Sequence, residues 1–187
     1  MKPFTFLLLL AVLTPFASAQ RQRFTVIPDS SDVKITLHTT HEVVHGIFHV
    51  QRGSVEFERT DARMTGQVVV AAGSGSTGNG SRDKRMNKEI LKVEQYSSVS
   101  FVPIAYAGTI AQTGDSTIQV TGVFTLLDVP HPITVPMSLH MDGSTVVAKT
   151  HFSIPYVQWG LKDPSLLFWR ADKDVSVDLT LTGQISN

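Results

Sequence analysis

Most of the chain alternates between apolar and polar residues with a period of two, which is typical of strands with one buried face. Within residues 32–40, for example, Val33, Ile35 and Leu37 share one phase and polar residues take the other. Turn-rich stretches separate such segments at the spacing of β-hairpins. The pattern predicts strands over residues 24–26, 32–40, 46–57, 64–72, 98–107, 118–127, 135–141, 146–154 and 175–181.

Three interruptions of this pattern are predicted from Gly, Pro and polar residues. Residues 51–53 are expected to form a turn within the 46–57 strand segment, and residues 128–132, which contain two prolines, to form the turn before residue 135. Residues 155–172 are expected to form a longer loop with both tryptophans of the chain. Its aromatic residues either line the rim of a barrel or attach the loop to the barrel wall.

One short amphipathic helix is predicted after a Gly/Ser-rich connector at residues 73–80. Ser81 is a suitable N-cap, and Asp83 places a carboxylate in the first turn, where the helix dipole stabilises it. Met86 and Ile90 are four residues apart and therefore share one apolar face. The outer face is expected to be cationic and solvated, with transient contact with anionic lipid as the alternative; it contains Arg82, Lys84, Arg85 and Lys88.

Eight or more alternating strands with one short helix indicate an all-β fold, whose antiparallel sheet closes into a barrel or stacks as a sandwich. A lone helix early in the strand order favours a barrel of about eight strands, which side chains fill or which holds one small ligand. Two small residues, Gly122 and Ala148, fall in the inward phase. They either leave room for a ligand or mark bends and bulges.

The first nineteen residues are predicted to be a cleaved signal peptide rather than part of the fold. Lys2 precedes an apolar run over residues 4–16, and Ala17-Ser18-Ala19 is a small-x-small cleavage site. The run is too short for a membrane span. We therefore expect cleavage before Gln20, a periplasmic or secreted protein, and one mature domain over residues 20–187.

Composition narrows the possible partners. The 187 residues contain no cysteine, so we expect neither disulfides nor a lipid-modified cysteine anchor. Lys and Arg number 16, as do Asp and Glu, and this balance gives no indication of a nucleic-acid partner. No stretch after the leader is long and apolar enough to be a transmembrane segment.

Several short motifs, in their order along the chain, resemble the YceI-like family of exported lipid- or polyisoprenoid-binding proteins. They are Val44-x-Gly46-x-Phe48, Ser81-Arg82-Asp83, Tyr96-x-x-Val99-x-Phe101 and Val120-x-Gly122-x-Phe124-x-Leu126. The resemblance extends over nearly the whole mature chain. It implies a lipocalin-like antiparallel barrel whose apolar interior binds a polyisoprenoid or fatty-acyl lipid. One departure is Arg23-Phe24, where family members often have a tryptophan.

The family defines no catalytic residues, so the resemblance implies a binding protein without cofactor rather than an enzyme. The expected partner is an apolar lipid, held for sequestration or transport. An apolar cavity suits such a ligand, and the inward phase and the helix supply candidate lining residues, each of which is also compatible with ordinary core packing. The candidates are Phe48, Met86, Ile90, Phe101, Phe124, Leu126, Met137, Leu139, Phe152 and Ile154.

A competing hypothesis comes from His41-Glu42-Val43-Val44-His45, which matches H-E-x-x-H. On a helix this spacing presents two imidazoles to a zinc ion, with the glutamate as general base. The β-branched neighbours and Gly46 disfavour a helix there. The alternatives are a zinc-dependent hydrolase, a metal-binding protein using His38, His41, His45 and His49, or histidines on the solvent face of a strand.

Overall fold

A computed structural model describes residues 20–187, and the predicted signal peptide at residues 1–19 lies outside this range. One short α-helix, α1 (Gly80–Arg85), continues into a π-helical turn at Met86–Ile90. Within the described range, no helix has the length and hydrophobicity needed to span a membrane. The strands are β1 (Gln22–Val26), β2 (Asp32–His38), β3 (Val43–Glu58), β4 (Asp61–Ala71), β5 (Ser98–Gly108), β6 (Gly114–Leu126), β7 (Val129–Asp142), β8 (Thr145–Ile154) and β9 (Val175–Ser186).

The strands form one antiparallel sheet that closes into a barrel with eight strand positions. The order around the barrel is β3–β2–β9–β8–β7–β6–β5–β4, and β4 pairs back with β3. β1 and β2 share one position in the barrel. β2 pairs with one half of β3 and one half of β9, and β1 pairs with the other halves of the same two strands. The predicted all-β, lipocalin-like barrel with one short helix is confirmed.

The period-two pattern places one face of each strand inside the barrel. In the first half of β3, Val44, Phe48 and Val50 are buried, whereas the intervening histidines and Ile47 are exposed. The inward faces of the strands contribute most of one connected hydrophobic core. Burial of these apolar side chains is the main favourable contribution to folding. The sequence contains no cysteine, so no disulfide adds to it.

Within residues 20–187, long irregular segments occur at only one end of the barrel, which we call the mouth. β2, β4, β6 and β8 end there, and β3, β5, β7 and β9 begin there. The helix joins β4 to β5, and residues 155–174 join β8 to β9, so both segments lie at the mouth. At the opposite end the connections are short, and Ile110 of the β5–β6 loop is buried.

β3 is continuous, so the predicted turn at residues 51–53 is wrong. The register against β4 shifts between Val50 and Arg52, which is a β-bulge rather than a turn. A bulge adds one residue to the strand and bends it while the chain stays in the sheet. The glycine and polar residues in this stretch gave the same composition signal as a turn.

The predicted turn at residues 128–132 is also wrong, because β7 already begins at Val129. The β6–β7 hairpin turns at Leu127 and Asp128, whose φ angles of 52° and 59° are left-handed, as a two-residue type I′ turn requires. The prolines that follow pair with β6, and β7 has no partner on its other side before Ser138. A proline without an N–H is tolerated at such an edge.

The barrel wall therefore has a gap between β7 and β8 near the mouth. These two strands pair only between Ser138–Asp142 and Thr145–Lys149. Beyond Lys149, β8 continues to Ile154 paired with β9 alone. The gap leaves two strand edges that other residues must cover.

Gly122 illustrates why glycines occur in the inward phase. A Cβ at this position would lie 2.5 Å from the Phe101 ring, so the ring already occupies the space above the glycine. The β5–β6 register also shifts next to it, between Pro103 and Ala105. Of the two interpretations of Gly122, close packing beside a bulge is the one observed. Ala148, in contrast, lines a cavity.

Candidate functional site

A cavity of about 680 Å³ opens at the mouth of the barrel. Most of its wall consists of apolar side chains from the inward faces of the strands, closed on one side by the helical segment and on another by residues 155–174. Its volume is within the range of about 300–1,000 Å³ that is common for small-molecule sites. The predicted lining residues that surround it are Phe48, Met86, Ile90, Phe124, Leu126 and Ile154.

A second, smaller cavity of about 120 Å³ lies deeper in the barrel. The remaining predicted residues, Phe101, Met137, Leu139 and Phe152, line this lower cavity, and Phe124 borders both cavities. The rings of Phe124 and Phe152 meet edge to face, with centroids 6.2 Å apart. All ten predicted side chains therefore face one of two adjoining apolar spaces, and Phe124 lies at their boundary.

The helix is positioned by hydrogen bonds at its start. The N-cap is Asn79, whose side chain accepts from the backbone N–H groups of Ser81 and Arg82, so the prediction of Ser81 as the cap is wrong. Thr77 donates to the Asp83 carboxylate from its hydroxyl (2.6 Å) and its backbone N–H (2.8 Å). These bonds hold the pKa of Asp83 below its usual value. The cap and the carboxylate together fix the helix across the mouth.

Met86 and Ile90 face the cavity from the π-helical turn, as their spacing predicted. The connector before the helix passes very close to Met86 and Phe48, because a Cβ at Gly75 would lie 2.6 Å from both side chains. Only glycine permits this approach. The connector forms part of the cavity wall through Thr77 and Asn79. The Gly/Ser-rich composition thus has a packing reason here.

The polar groups of the cavity are confined to one side, around the start of the helix. Arg82 forms an ion pair with Glu42 of the β2–β3 turn at 3.1 Å, and both side chains are about one-third exposed. Arg85 also lines the cavity. The prediction that all four helix cations form the outer face is therefore wrong for Arg82 and Arg85, whereas Lys84 and Lys88 are exposed.

Residues 155–174 are attached to the barrel by Tyr156. Its ring is buried, and its hydroxyl donates to the Asp172 carbonyl at 2.7 Å. Burial raises the pKa of Tyr156 to about 12, so the phenol stays protonated and remains a donor at physiological pH. Lys173 donates to the carboxylate of Asp163, and Ser165 also donates to it from its backbone N–H. These hydrogen bonds lower the pKa of Asp163 to about 2.

The two sides of the mouth are also linked to each other. Lys162 of the long loop donates to Glu89 of the helical turn at 2.6 Å, and this hydrogen bond lowers the pKa of Glu89. Trp169 lies at the rim and lines the cavity, whereas Trp159 packs against Phe124 and His131 beside the β7–β8 gap. One tryptophan therefore lines the rim and the other attaches the loop to the wall.

The H-E-x-x-H motif does not form a helix. His41 and Glu42 lie before the start of β3, and His45 is on the exposed face of that strand. Glu42 pairs with Arg82, and Nδ1 of His45 is 3.2 Å from the Thr36 hydroxyl. The geometry that zinc hydrolysis needs from this motif is thus absent. Among residues 20–187, no three His, Cys, Asp or Glu side chains are grouped to hold a metal ion.

Some lining residues were not predicted from the sequence. Val44 and Leu161 are buried in the wall of the upper cavity, and Arg82 contributes to its polar side. Val44 is in phase with Phe48 on β3, so the alternation contained the signal. Leu161 is in a loop, where no periodicity identifies an inward side chain.

Comparisons with known proteins identify the family to which this architecture belongs. The family model described as YceI-like domain matches residues 24–183. Proteins described as UPF0312 protein from Pseudomonas savastanoi pv. phaseolicola and Pseudomonas syringae pv. syringae are each 30% identical over 114 residues. That alignment spans 60% of this chain and 57% of the length of each relative.

Two solved structures share the fold at low sequence identity. BcnA of Burkholderia cenocepacia has a TM-score of 0.68 and 19% identity, over 87% of this chain and 99% of BcnA. A polyisoprenoid binding domain from Saccharophagus degradans has a TM-score of 0.64 and 15% identity, over 87% of this chain and 98% of that domain. Because the family model covers nearly all of the described barrel, this chain belongs to the YceI-like domain family.

Proposed function

We propose that this protein binds an amphiphile with a long apolar tail, of the polyisoprenoid or fatty-acyl class, and sequesters or transports it. The observation that supports this function best is the cavity of about 680 Å³ at the mouth, apolar except for one polar side. The solved domain from Saccharophagus degradans, which is named as polyisoprenoid binding, supports the ligand class. No catalytic step is part of the proposal.

The shape of the cavity suggests how the ligand would lie. The tail would run down the barrel towards Phe124, where each Å² of apolar surface removed from water contributes about 25 cal/mol. The head group would remain near Arg82 and Glu42, which form the polar side of the mouth. The tail needs no charged partner, so the residues around the head group would determine which head groups are accepted.

Native mass spectrometry of the protein isolated from its own cells tests this function directly. We expect a species heavier than the free chain by the mass of one lipid, which organic extraction then identifies. A free chain that gains no mass after incubation with fatty acids or isoprenoid quinones would contradict the proposal.

Two neighbouring positions on β3 offer a matched pair of variants. Val44 is buried and lines the cavity, whereas Val43 is 45% exposed on the outer face. Val44→Trp would fill the cavity and is expected to abolish lipid loading, whereas Val43→Trp should load normally. Circular dichroism establishes that both variants fold, and equal loading of two folded variants would exclude the cavity as the binding site.

We also propose that the protein is exported and that residues 1–19 are removed. The support is the sequence of the leader, with its Ala17-Ser18-Ala19 cleavage site. The intact mass of the protein from the cell envelope or the medium should equal that of residues 20–187. Recovery of the full 187-residue chain from the cytoplasm would contradict export.

A further inference from the structure

Four consecutive apolar residues project from the long loop at the mouth of the barrel. Residues 166–169, which we call the apolar tip, have relative exposures of 58% for Leu166, 93% for Leu167, 87% for Phe168 and 43% for Trp169. Single exposed apolar residues are common on protein surfaces, but a contiguous group usually marks an interaction site.

The backbone holds the apolar tip in this exposed arrangement. Leu166 and Trp169 exchange two backbone hydrogen bonds of 2.8 and 2.7 Å, so that Leu167 and Phe168 form the turn between them. Leu167 has a φ of 46°, in the left-handed region that a branched apolar residue seldom adopts. An unfavourable conformation is thus used to present two large apolar side chains to solvent.

The base of the tip is attached to the β2–β3 turn. The backbone N–H of Thr40 donates to the Arg170 carbonyl at 2.9 Å, and that of Asp172 donates to the His38 carbonyl at 2.9 Å. The ring of His41 meets Trp169 edge to face, with centroids 5.2 Å apart. The tip therefore projects from the loop and is held at its base by these contacts.

The apolar tip is continuous with the cavity, because Leu166 and Trp169 also line it. We propose that the tip inserts into the surface of a lipid bilayer, so that the mouth faces the membrane and an amphiphile can pass between bilayer and cavity. This inference rests on the proposed lipid-binding function. During exchange at the membrane surface, the apolar tail of the amphiphile would not have to enter water.

The chemistry of the tip fits a bilayer better than another protein. A stable protein–protein interface buries at least about 1,200 Å², far more than four side chains on a convex turn can supply. Leu167 and Phe168 are outermost, and Trp169 and Arg170 follow at the base. Tryptophan is enriched at the level of lipid headgroups, and arginine can extend its charge to the phosphates there. Lys84 and Lys88 are exposed on the helix at the same end.

The two tryptophans of the chain make the inference directly testable. In the Trp159→Phe variant the remaining indole, Trp169, reports on the tip; in Trp169→Phe the remaining indole, Trp159, reports on the barrel wall. On addition of phosphatidylcholine vesicles, with and without phosphatidylglycerol, we expect a blue shift and quenching by brominated lipid for Trp169 and neither for Trp159. Equal responses from both indoles, or none from Trp169, would overturn the proposal.

Vesicle co-sedimentation of the whole protein supplies the second measurement. The double substitution Leu167→Ser/Phe168→Ser should weaken the partition coefficient at least about tenfold, because it removes the two deepest apolar side chains. Ile104→Ser is the matched control, since Ile104 is 51% exposed on β5 away from the mouth. Vesicle binding that the double substitution leaves intact would contradict the proposal. The proposal would also be contradicted if the protein is a dimer that this substitution converts to a monomer while vesicle binding is unchanged.

These experiments test membrane docking and lipid binding separately. Insertion of Trp169 in a protein that never acquires a lipid mass would support docking and contradict the proposed function. A lipid-loaded protein whose Trp169 does not respond to vesicles would support the function and overturn docking.

Discussion

The imidazole of His131 lies flat against the indole of Trp159, with ring centroids 4.0 Å apart and planes 5° apart. His131 is on β7, close to the start of the strand, and Trp159 is in the loop that follows β8. Between these two strands the sheet has no pairing near the mouth. The stacked pair therefore covers the gap in the barrel wall and connects the long loop to β7.

Trp159→Ala should destabilise the protein by removing this cover. Trp159 also contacts Phe124, with ring centroids 5.8 Å apart, so truncation exposes an edge of the upper cavity as well. We expect a loss of about 2–3 kcal/mol in the free energy of unfolding, somewhat less than for a fully buried tryptophan. Denaturant unfolding followed by circular dichroism measures it. Trp159→Phe keeps a ring over His131 and should lose clearly less unfolding free energy than Trp159→Ala. Equal losses in the two variants would exclude the stacking as the cause.

Phe124→Ala should lengthen the tail that the barrel accepts, because Phe124 lies between the upper and lower cavities. In a fatty-acid series, each added methylene should raise affinity by about 0.8 kcal/mol, roughly fourfold, until the space is filled. The plateau should come at a longer chain for the variant than for the wild type. Leu126→Ala is the control, since Leu126 lines only the upper cavity and should leave the plateau unchanged. The same plateau in all three proteins would contradict a boundary at Phe124.

Local sequence signals were sufficient for the barrel and for the ten lining residues. Alternation reports which side of a strand is buried, and a closed barrel has only one interior, so phase alone identified Phe48 and Phe124. Motif order then indicated the family. The burial predictions succeeded because each depends on residues that are close in sequence, whereas contact between these residues and a ligand stays a prediction.

Features that depend on distant residues could not be predicted in the same way. The pair of His131 and Trp159 joins two segments 28 positions apart, and Arg82 meets Glu42 across 40 positions. Nothing local indicates either contact. Pro130 and Pro132 predict a turn in the sequence, because the gap beside β7, which tolerates them, exists only in the folded barrel.

Acid should weaken the hydrogen bonds within the long loop that Asp163 accepts from Lys173 and Ser165. Its folded-state pKa is lowered to about 2, chiefly by the hydrogen bond from Lys173, whereas the usual pKa of an aspartate is 3.8. A lowered carboxyl pKa stabilises the fold fully above the unfolded-state value, and this contribution declines as pH falls from about 4 to about 2. The difference in unfolding free energy between wild type and Asp163→Asn should shrink over that interval.

Lys173→Met provides the control for this pH dependence. It removes the main hydrogen-bond donor to Asp163 while the carboxyl remains. In the Lys173→Met background, Asp163→Asn should therefore have a much smaller pH-dependent effect. A difference that is constant from pH 5 to about 2 in the wild-type background would show that Asp163 does not couple folding to pH.

Arg82→Met should distinguish amphiphiles by the charge of the head group. Arg82 lies on the polar side of the cavity with its charge shared with Glu42 at 3.1 Å, and it is only about one-third exposed. Loss of this cation should weaken binding of a fatty acid by about 1 kcal/mol, roughly fivefold, and leave binding of the fatty alcohol of equal chain length nearly unaffected.

Glu42→Gln should have the opposite effect and strengthen binding of the acid, because it removes a carboxylate that repels the anionic head group. Competition against a fluorescent lipid measures the affinities of the wild type and of each variant for the acid and for the alcohol. Lys84→Met is the control for net charge, since Lys84 is exposed on the same helix. If Lys84→Met weakens acid binding as much as Arg82→Met does, or if acid and alcohol lose equally, Arg82 does not contact the head group.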